Sequence, residues 1–296
     1  MSHKTILETI GNTPLVKLSR YSPNPNVTIL AKLEGNNPCG SVKDRIALYM
    51  MRDAERRGLL RPDRIIMEAT SGNAGIALAM LSSLMGYRFM AVMPESVSIE
   101  RRKLLKAYGA DIMLTDGAGG TNYAIEVARK LVKENPEKYV MLDQFENRAN
   151  VLAHYETTGP EILRDAPGIT HFVAGMGTGG TLMGAGRLFK EHDKAIQVIG
   201  IEPRPGSTIQ GLRNMTAYNP PIFTKSALDR TLMLEDDAKA FALARELFTK
   251  EGVSVGMSSG AALWGALELS KELDRGVIVT VFPDRGDKYL NTKMFE

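Results

Sequence analysis

Thr170-His171-Phe172-Val173-Ala174-Gly175-Met176-Gly177-Thr178-Gly179-Gly180-Thr181 is the stretch on which the fold turns. The apolar run Thr170–Ala174 reads as a strand buried on both faces, and the periodic segment Gly179–His192 reads as a helix. Between them lie glycines, which let backbone N–H groups approach a phosphate while the helix dipole assists. Gly175, Gly177 and Gly180 also satisfy G-x-G-x-x-G, with Glu202 about twenty residues on, after a strand. On this loop alone a nicotinamide dinucleotide and a smaller phosphorylated cofactor are not separated, and a turn binding nothing is the third option.

Outward from this unit the same alternation repeats. Further strands are expected at Val27–Leu33, Ile65–Glu68, Arg88–Met93, Asp111–Leu114, Tyr139–Leu142, Gln197–Ile201 and Gly276–Phe282. Helices are expected at Ala47–Arg57, Gly75–Met85, Ser98–Tyr108, Gly120–Lys133, Val151–Leu163, Asp237–Glu251 and Ala261–Leu273. Strand–helix alternation of this kind gives an α/β fold with parallel sheets. The chain has 296 residues, enough for two domains. A crossover between them is placed near 143–150, and the proline-rich stretch Pro203–Thr224 reads as a long loop with a functional role.

Composition removes several classes of function. With 37 basic and 34 acidic residues the net charge is +3, without the basic stripe of a nucleic-acid binder. One cysteine, Cys39, excludes an internal disulfide, and the 4 histidines lack zinc spacing, so no metal site is expected. No apolar run reaches the length of a membrane helix, and no signal-peptide core is evident. The expectation is a soluble cytoplasmic protein.

Two other loops carry chemistry. In Gly40-Ser41-Val42-Lys43-Asp44-Arg45, Ser41 and Asp44 fit a capping box, which puts Lys43 in the first turn of a helix. The helix dipole there disfavours the ammonium form, which suits an amine nucleophile. Read alone, Lys43 is more simply a solvated surface lysine. Thr70-Ser71-Gly72-Asn73-Ala74-Gly75 lies at a strand-to-helix turn and would bind a carboxylate or phosphate; the alternative is an ordinary cap. A lysine, an anion site and a phosphate loop together suit pyridoxal 5'-phosphate, whereas a dehydrogenase leaves the first two unexplained.

Six segments then occur in order: IGNTPLVKL (10–18), KLEGNNPCGSVKDR (32–45), EATSGNAGIALAM (68–80), DQFEN (143–147), GMGTGGTLMG (175–184) and GMSSGAA (256–262). With them the chain resembles the cysteine synthases (O-acetylserine sulfhydrylases) of the fold-type II pyridoxal-phosphate enzymes, and GSVKDR looks like the B-type. The resemblance implies two three-layer α/β domains with mainly parallel sheets, as in the tryptophan synthase β-like enzymes. Residues 45–150 would form a smaller, mobile substrate-gripping domain, and residues 1–44 with 151–296 a larger cofactor-binding one.

By the same resemblance Lys43 would hold the cofactor as a Schiff base and then act as general base. Asn73 would bond the ring hydroxyl, and Gly177, Thr178, Gly179, Gly180 and Thr181 would cradle the phosphate. Ser258 would face the ring nitrogen, and Thr70, Ser71, Gly72 and Gln144 would bind the substrate carboxylate. Arg213 lies where phosphoserine-using relatives place an arginine, so O-phosphoserine is expected as a substrate beside O-acetylserine; a solvated loop arginine is the alternative. The family pattern reads TSGNTG, so Ala74 departs from it and removes a hydroxyl. The implied reaction replaces a β-substituent with sulfur from sulfide, thiosulfate or another donor. Partners would be an amino-acid substrate, a sulfur donor, a second copy in a homodimer, and a serine acetyltransferase or sulfur-carrier protein. Cystathionine or lanthionine synthesis uses the same residues and stays open, as, more remotely, does a nicotinamide-dependent dehydrogenase.

Overall fold

The computed structural model describes residues 3–70 and 72–296. In chain order its elements are β1 (Leu15–Lys17), β2 (Val27–Leu33), α1 (Lys43–Arg56), β3 (Ile65–Ala69), α2 (Asn73–Met85), β4 (Arg88–Pro94) and α3 (Ile99–Ala107). Then come β5 (Asp111–Thr115), α4 (Gly120–Glu134), β6 (Tyr139–Met141), α5 (Arg148–Ala153) and a π-helical turn (His154–Thr158). The rest are α6 (Gly159–Asp165), β7 (His171–Gly175), α7 (Gly180–His192), β8 (Gln197–Pro203), β9 (Arg230–Leu234), α8 (Asp237–Lys250), α9 (Met257–Glu272) and β10 (Gly276–Phe282). The chain divides into one unit of residues 1–42 with 151–296 and a second of residues 43–150.

The second unit holds a parallel sheet in the order β5-β4-β3-β6. The chain steps outward from β3 to β4 to β5 and then returns to the other flank of β3 with β6. Strand order therefore reverses between β3 and β6, where loops from two neighbouring strands part and leave room for a ligand. All five residues of β3 are buried. Ile65, Met67 and Ala69 alternate onto one face, where they pack with Ala124 and Ala128 of α4. Glu68 falls out of that alternation.

In the first unit the order is β1-β2-β10-β7-β8-β9, parallel except for β1. Here the reversal lies between β7 and β10. Successive residues of β7 feed opposite faces, as the continuous apolar run requires: Val173 joins the α8–α9 core, while Phe172 and Ala174 join the α6–α7 core. Phe172 meets Phe189 edge-on at 4.9 Å, and burying one such ring contributes roughly 1.5–3 kcal/mol. The loop ahead of β1 is fixed by buried charge. Glu161 pairs with Lys32 at 2.7 Å and accepts the Asn12 N–H, and Glu34 accepts the Thr13 hydroxyl at 2.6 Å.

Three expectations change. Strands β1 and β9 are edge strands, short and half-exposed, so they carry little of the apolar signal. Helix α1 begins at Lys43 rather than Ala47, and α9 at Met257 rather than Ala261. The single helix expected at Val151–Leu163 is two α-helical pieces with a π turn between them. Pro160 cannot donate a backbone N–H, which breaks the regular ladder there. No described helix is long and apolar enough to cross a membrane.

Candidate active site

In the second unit Thr70, Gly72, Asn73 and Gln144 lie in the segments that follow β3 and β6. Lys43 lies at the start of α1 and is half-buried. After β3, Thr70 is buried, and its Oγ1 accepts the N–H groups of Gly72 (3.4 Å) and Gly75 (3.2 Å). A Cβ on Gly75 would lie 2.8 Å from the Thr70 methyl, which is why this position is glycine. Asn73 opens α2, with Gly72 as its cap residue, and Ala74 is buried in the first turn. Ser71, also expected to bind substrate, lies outside the described residues.

After β6 the chain turns sharply. Asp143 has φ +48°, and the turn closes with the N–H groups of Glu146 and Asn147 on the Asp143 carbonyl. Gln144 is buried, and its carbonyl accepts from Asn150 Nδ2 at 2.8 Å. Beneath this turn lies Glu68, whose carboxylate accepts the N–H groups of Asp143 (3.0 Å) and Gln144 (3.2 Å). Burial, and then the neighbouring Asp143 carboxylate, push the Glu68 carboxyl up to about 7.

In the first unit β7 runs into Gly175–Gly179 and then into α7. Gly179 caps that helix with φ +87°, a conformation that favours glycine. A Cβ on Gly177 would lie 2.5 Å from the Gly211 carbonyl oxygen, and one on Gly179 would lie 2.6 Å from Phe223. The loop from 210 to 213 therefore rides on the glycine turn, and the Arg213 N–H donates to the Met176 carbonyl at 2.7 Å. Arg213 is half-buried with its guanidinium 5.4 Å from the Tyr218 ring centroid, and burial lowers its pKa. Ser258 is buried in the first turn of α9, and a Cβ on Gly211 would lie 3.8 Å from its Oγ. Thr178, Gly180, Thr181, Arg213 and Ser258 are thus gathered around one glycine turn.

Two residues outside the expected set belong to these surroundings. His154 sits in the π turn with Nδ1 2.9 Å from the Thr158 hydroxyl and Nε2 3.2 Å from that of Thr181. Glu68 is the other, and its signal was an acid inside the apolar run Ile65–Ala69. Glu202, by contrast, is taken up inside the loop it precedes. It accepts the Met215 N–H at 2.7 Å and lies 3.5 Å from Lys225 Nζ, so the ribose-reading acid of a dinucleotide site is committed elsewhere.

Residues 6–284 match the family described as pyridoxal-phosphate dependent enzyme. The chain belongs to that family. It is 50% identical to a cysteine synthase of Aquifex aeolicus, over 99% of this chain and 93% of that one. It is 46% identical to cysteine synthase B of Salmonella typhimurium, over 98% of this chain and 96% of that one. A solved cysteine synthase from Entamoeba histolytica superposes with a TM-score of 0.95 at 36% identity, over 100% of this chain and 91% of that one. This is the cysteine synthase group of fold-type II enzymes, and its cofactor is pyridoxal phosphate.

The residues present fit that cofactor. A turn whose Cβ positions are filled by a carbonyl oxygen and an aromatic ring, opening a 13-residue helix, offers backbone N–H groups to a phosphate. A neutral Ser258 suits a pyridine nitrogen that is not held protonated, and Lys43 supplies an amine at a helix start.

Proposed function

We propose that this chain makes L-cysteine by replacing the β-substituent of an O-activated L-serine with sulfur, with Lys43 as its catalytic base. The observation that carries the reading is the lysine at the start of α1 in a chain that also carries the glycine turn opening α7. Bound pyridoxal phosphate supplies the electron sink that acidifies the Cα proton of an attached amino acid. Lys43 would hold the cofactor, and its amine, once free, would take the Cα proton of the amino acid and later return it, so that the β-substituent leaves and sulfur takes its place at Cβ.

The N–H groups of Gly177–Thr181 and the hydroxyls of Thr178 and Thr181 hold the phosphate, Asn73 bonds the ring hydroxyl, and Ser258 faces the ring nitrogen. Thr70, Ser71, Gly72 and Gln144 bind the substrate carboxylate. Thr70 suits this task because backbone N–H groups occupy its acceptor side, leaving its own proton to donate. A half-buried Arg213 over an aromatic ring favours O-phosphoserine beside O-acetylserine, since a guanidinium binds phosphate in two-pronged fashion. The same reading makes the protein a transferase working in the cytoplasm as a homodimer, with 45–150 as the mobile, substrate-gripping part.

The test is cysteine formation from O-acetylserine and sulfide by cofactor-loaded protein and by Lys43→Ala. Losing a general base lowers turnover about 10²- to 10⁴-fold. Turnover in Lys43→Ala equal to the parent's contradicts the assignment.

A further inference from the structure

Gln144 enters its turn through Asp143, a non-glycine residue at φ +48°. Such a conformation costs of order 1 kcal/mol or more and persists only where its surroundings hold it. One side of the hold is exposed: Arg129 pairs with the Asp143 carboxylate at 2.7 Å and with Glu146 at 2.8 Å. The other side is Glu68, 1% exposed, its two oxygens on the N–H groups of Asp143 and Gln144. Only a carboxylate presents two acceptors side by side to two adjacent N–H donors; an amide presents one acceptor and a donor that opposes the second N–H. Glu68 is also two residues ahead of Thr70, so one side chain ties the loop after β3 to the loop after β6 where strand order reverses.

We propose that Glu68 is a positioning residue that sets Gln144 for the substrate carboxylate, which rests on Gln144 being a substrate ligand as proposed for the function. Glu68 acts through the main chain of 143–144, so its effect belongs to amino-acid binding and leaves the Lys43 proton transfers and the hold on the cofactor intact.

The experiment is a double-mutant cycle on the cofactor-loaded enzyme with Glu68→Gln, Gln144→Ala and both together. It reads KM for the amino-acid substrate, kcat and cofactor content at about pH 8, above the point at which the Glu68 carboxyl gives up its proton. Glu68→Gln is expected to raise KM about 10- to 100-fold, the loss of a hydrogen bond to a charged group, with kcat and cofactor content near the parent's. Gln144→Ala is expected to raise KM comparably, and adding Glu68→Gln to it is expected to change KM by less than about threefold. If the two factors multiply, the role of Glu68 is overturned while Gln144 stands. If Gln144→Ala alone leaves KM unchanged, the assignment of Gln144 fails, and the proposal with it. Should Glu68→Gln not hold its cofactor, Glu68→Asp runs the same cycle under the same criteria, keeping charge and both oxygens one methylene further back.

Discussion

The turn after β7 and the turn after β3 are the same device built from different materials. Each leaves the C-terminal end of a parallel strand at the point where strand order reverses, and each opens a 13-residue helix. The first is made rigid by main chain and bulk: Gly177 closes on a carbonyl oxygen, and Gly179 on Phe223. The second is held by side chains, with Thr70 on two of its own N–H groups and Glu68, at the end of β3, on two N–H groups of the neighbouring turn after β6. On the proposed assignment the first turn holds the cofactor phosphate, which presents the same charge in every step of a reaction and is served by a fixed cradle, and the second holds the substrate carboxylate. An amino-acid carboxylate arrives and leaves with each turnover, and a grip made of side-chain hydrogen bonds can reform each time.

Four outcomes sharpen or break this contrast. The largest effect is expected in Gly177→Ala, whose methyl meets the Gly211 carbonyl oxygen at 2.5 Å. Overpacking of about 1–3 kcal/mol would weaken cofactor binding by about 5- to 150-fold, read by titrating apoprotein with pyridoxal phosphate.

Next is a pH effect from Glu68, raised to about 7. Its folded-state pKa lies above the unfolded value, so the folded chain keeps a proton that the unfolded chain has lost between the two. Its contribution to stability is therefore full below about 4.5, falls as pH rises, and is gone above about 7. The gap corresponds to roughly 3 kcal/mol at most. Denaturant unfolding of the parent and Glu68→Gln from pH 4.5 to 8 should show the parent losing stability relative to the variant. Parallel curves would contradict it.

Thr70→Val comes third. It keeps the shape but strands two N–H groups, so KM for the amino acid should rise about tenfold, and Thr70→Ser should recover most of it. The smallest effect is a ratio: Arg213→Ala should lower kcat/KM for O-phosphoserine about 10-fold or more relative to O-acetylserine. An unmoved ratio would make Arg213 an ordinary loop residue.

Much of the fold was legible in the sequence because parallel strands buried on both faces are continuous apolar runs, as in Thr170–Ala174 and Gly276–Phe282. The glycine turn was legible because only glycine tolerates its packing. Helix starts were less so. The Ser41–Asp44 spacing did put Lys43 in a first turn, ahead of the periodic segment, but Met257–Gly260 forms a first turn fixed by neighbours rather than by propensity: a Cβ on Gly256 would run into Asp284, and one on Gly260 into the Ala240 carbonyl. Edge strand β9 and the π turn around His154 lacked signal for the same reason, since tertiary packing makes them. Glu68 was visible as an acid in an apolar strand, but its partners lie about 75 residues away, and one sequence does not reveal that pairing.

The contrast itself is tested most directly by measuring two affinities, for pyridoxal phosphate by apoprotein and for the amino acid by loaded enzyme, in Gly177→Ala and Thr70→Val side by side. Gly177→Ala should weaken the cofactor alone and Thr70→Val the amino acid alone, each by about tenfold or more. If both variants weaken both ligands equally, the two turns are not separate devices, and the division of labour between a fixed cradle and a reforming grip is refuted.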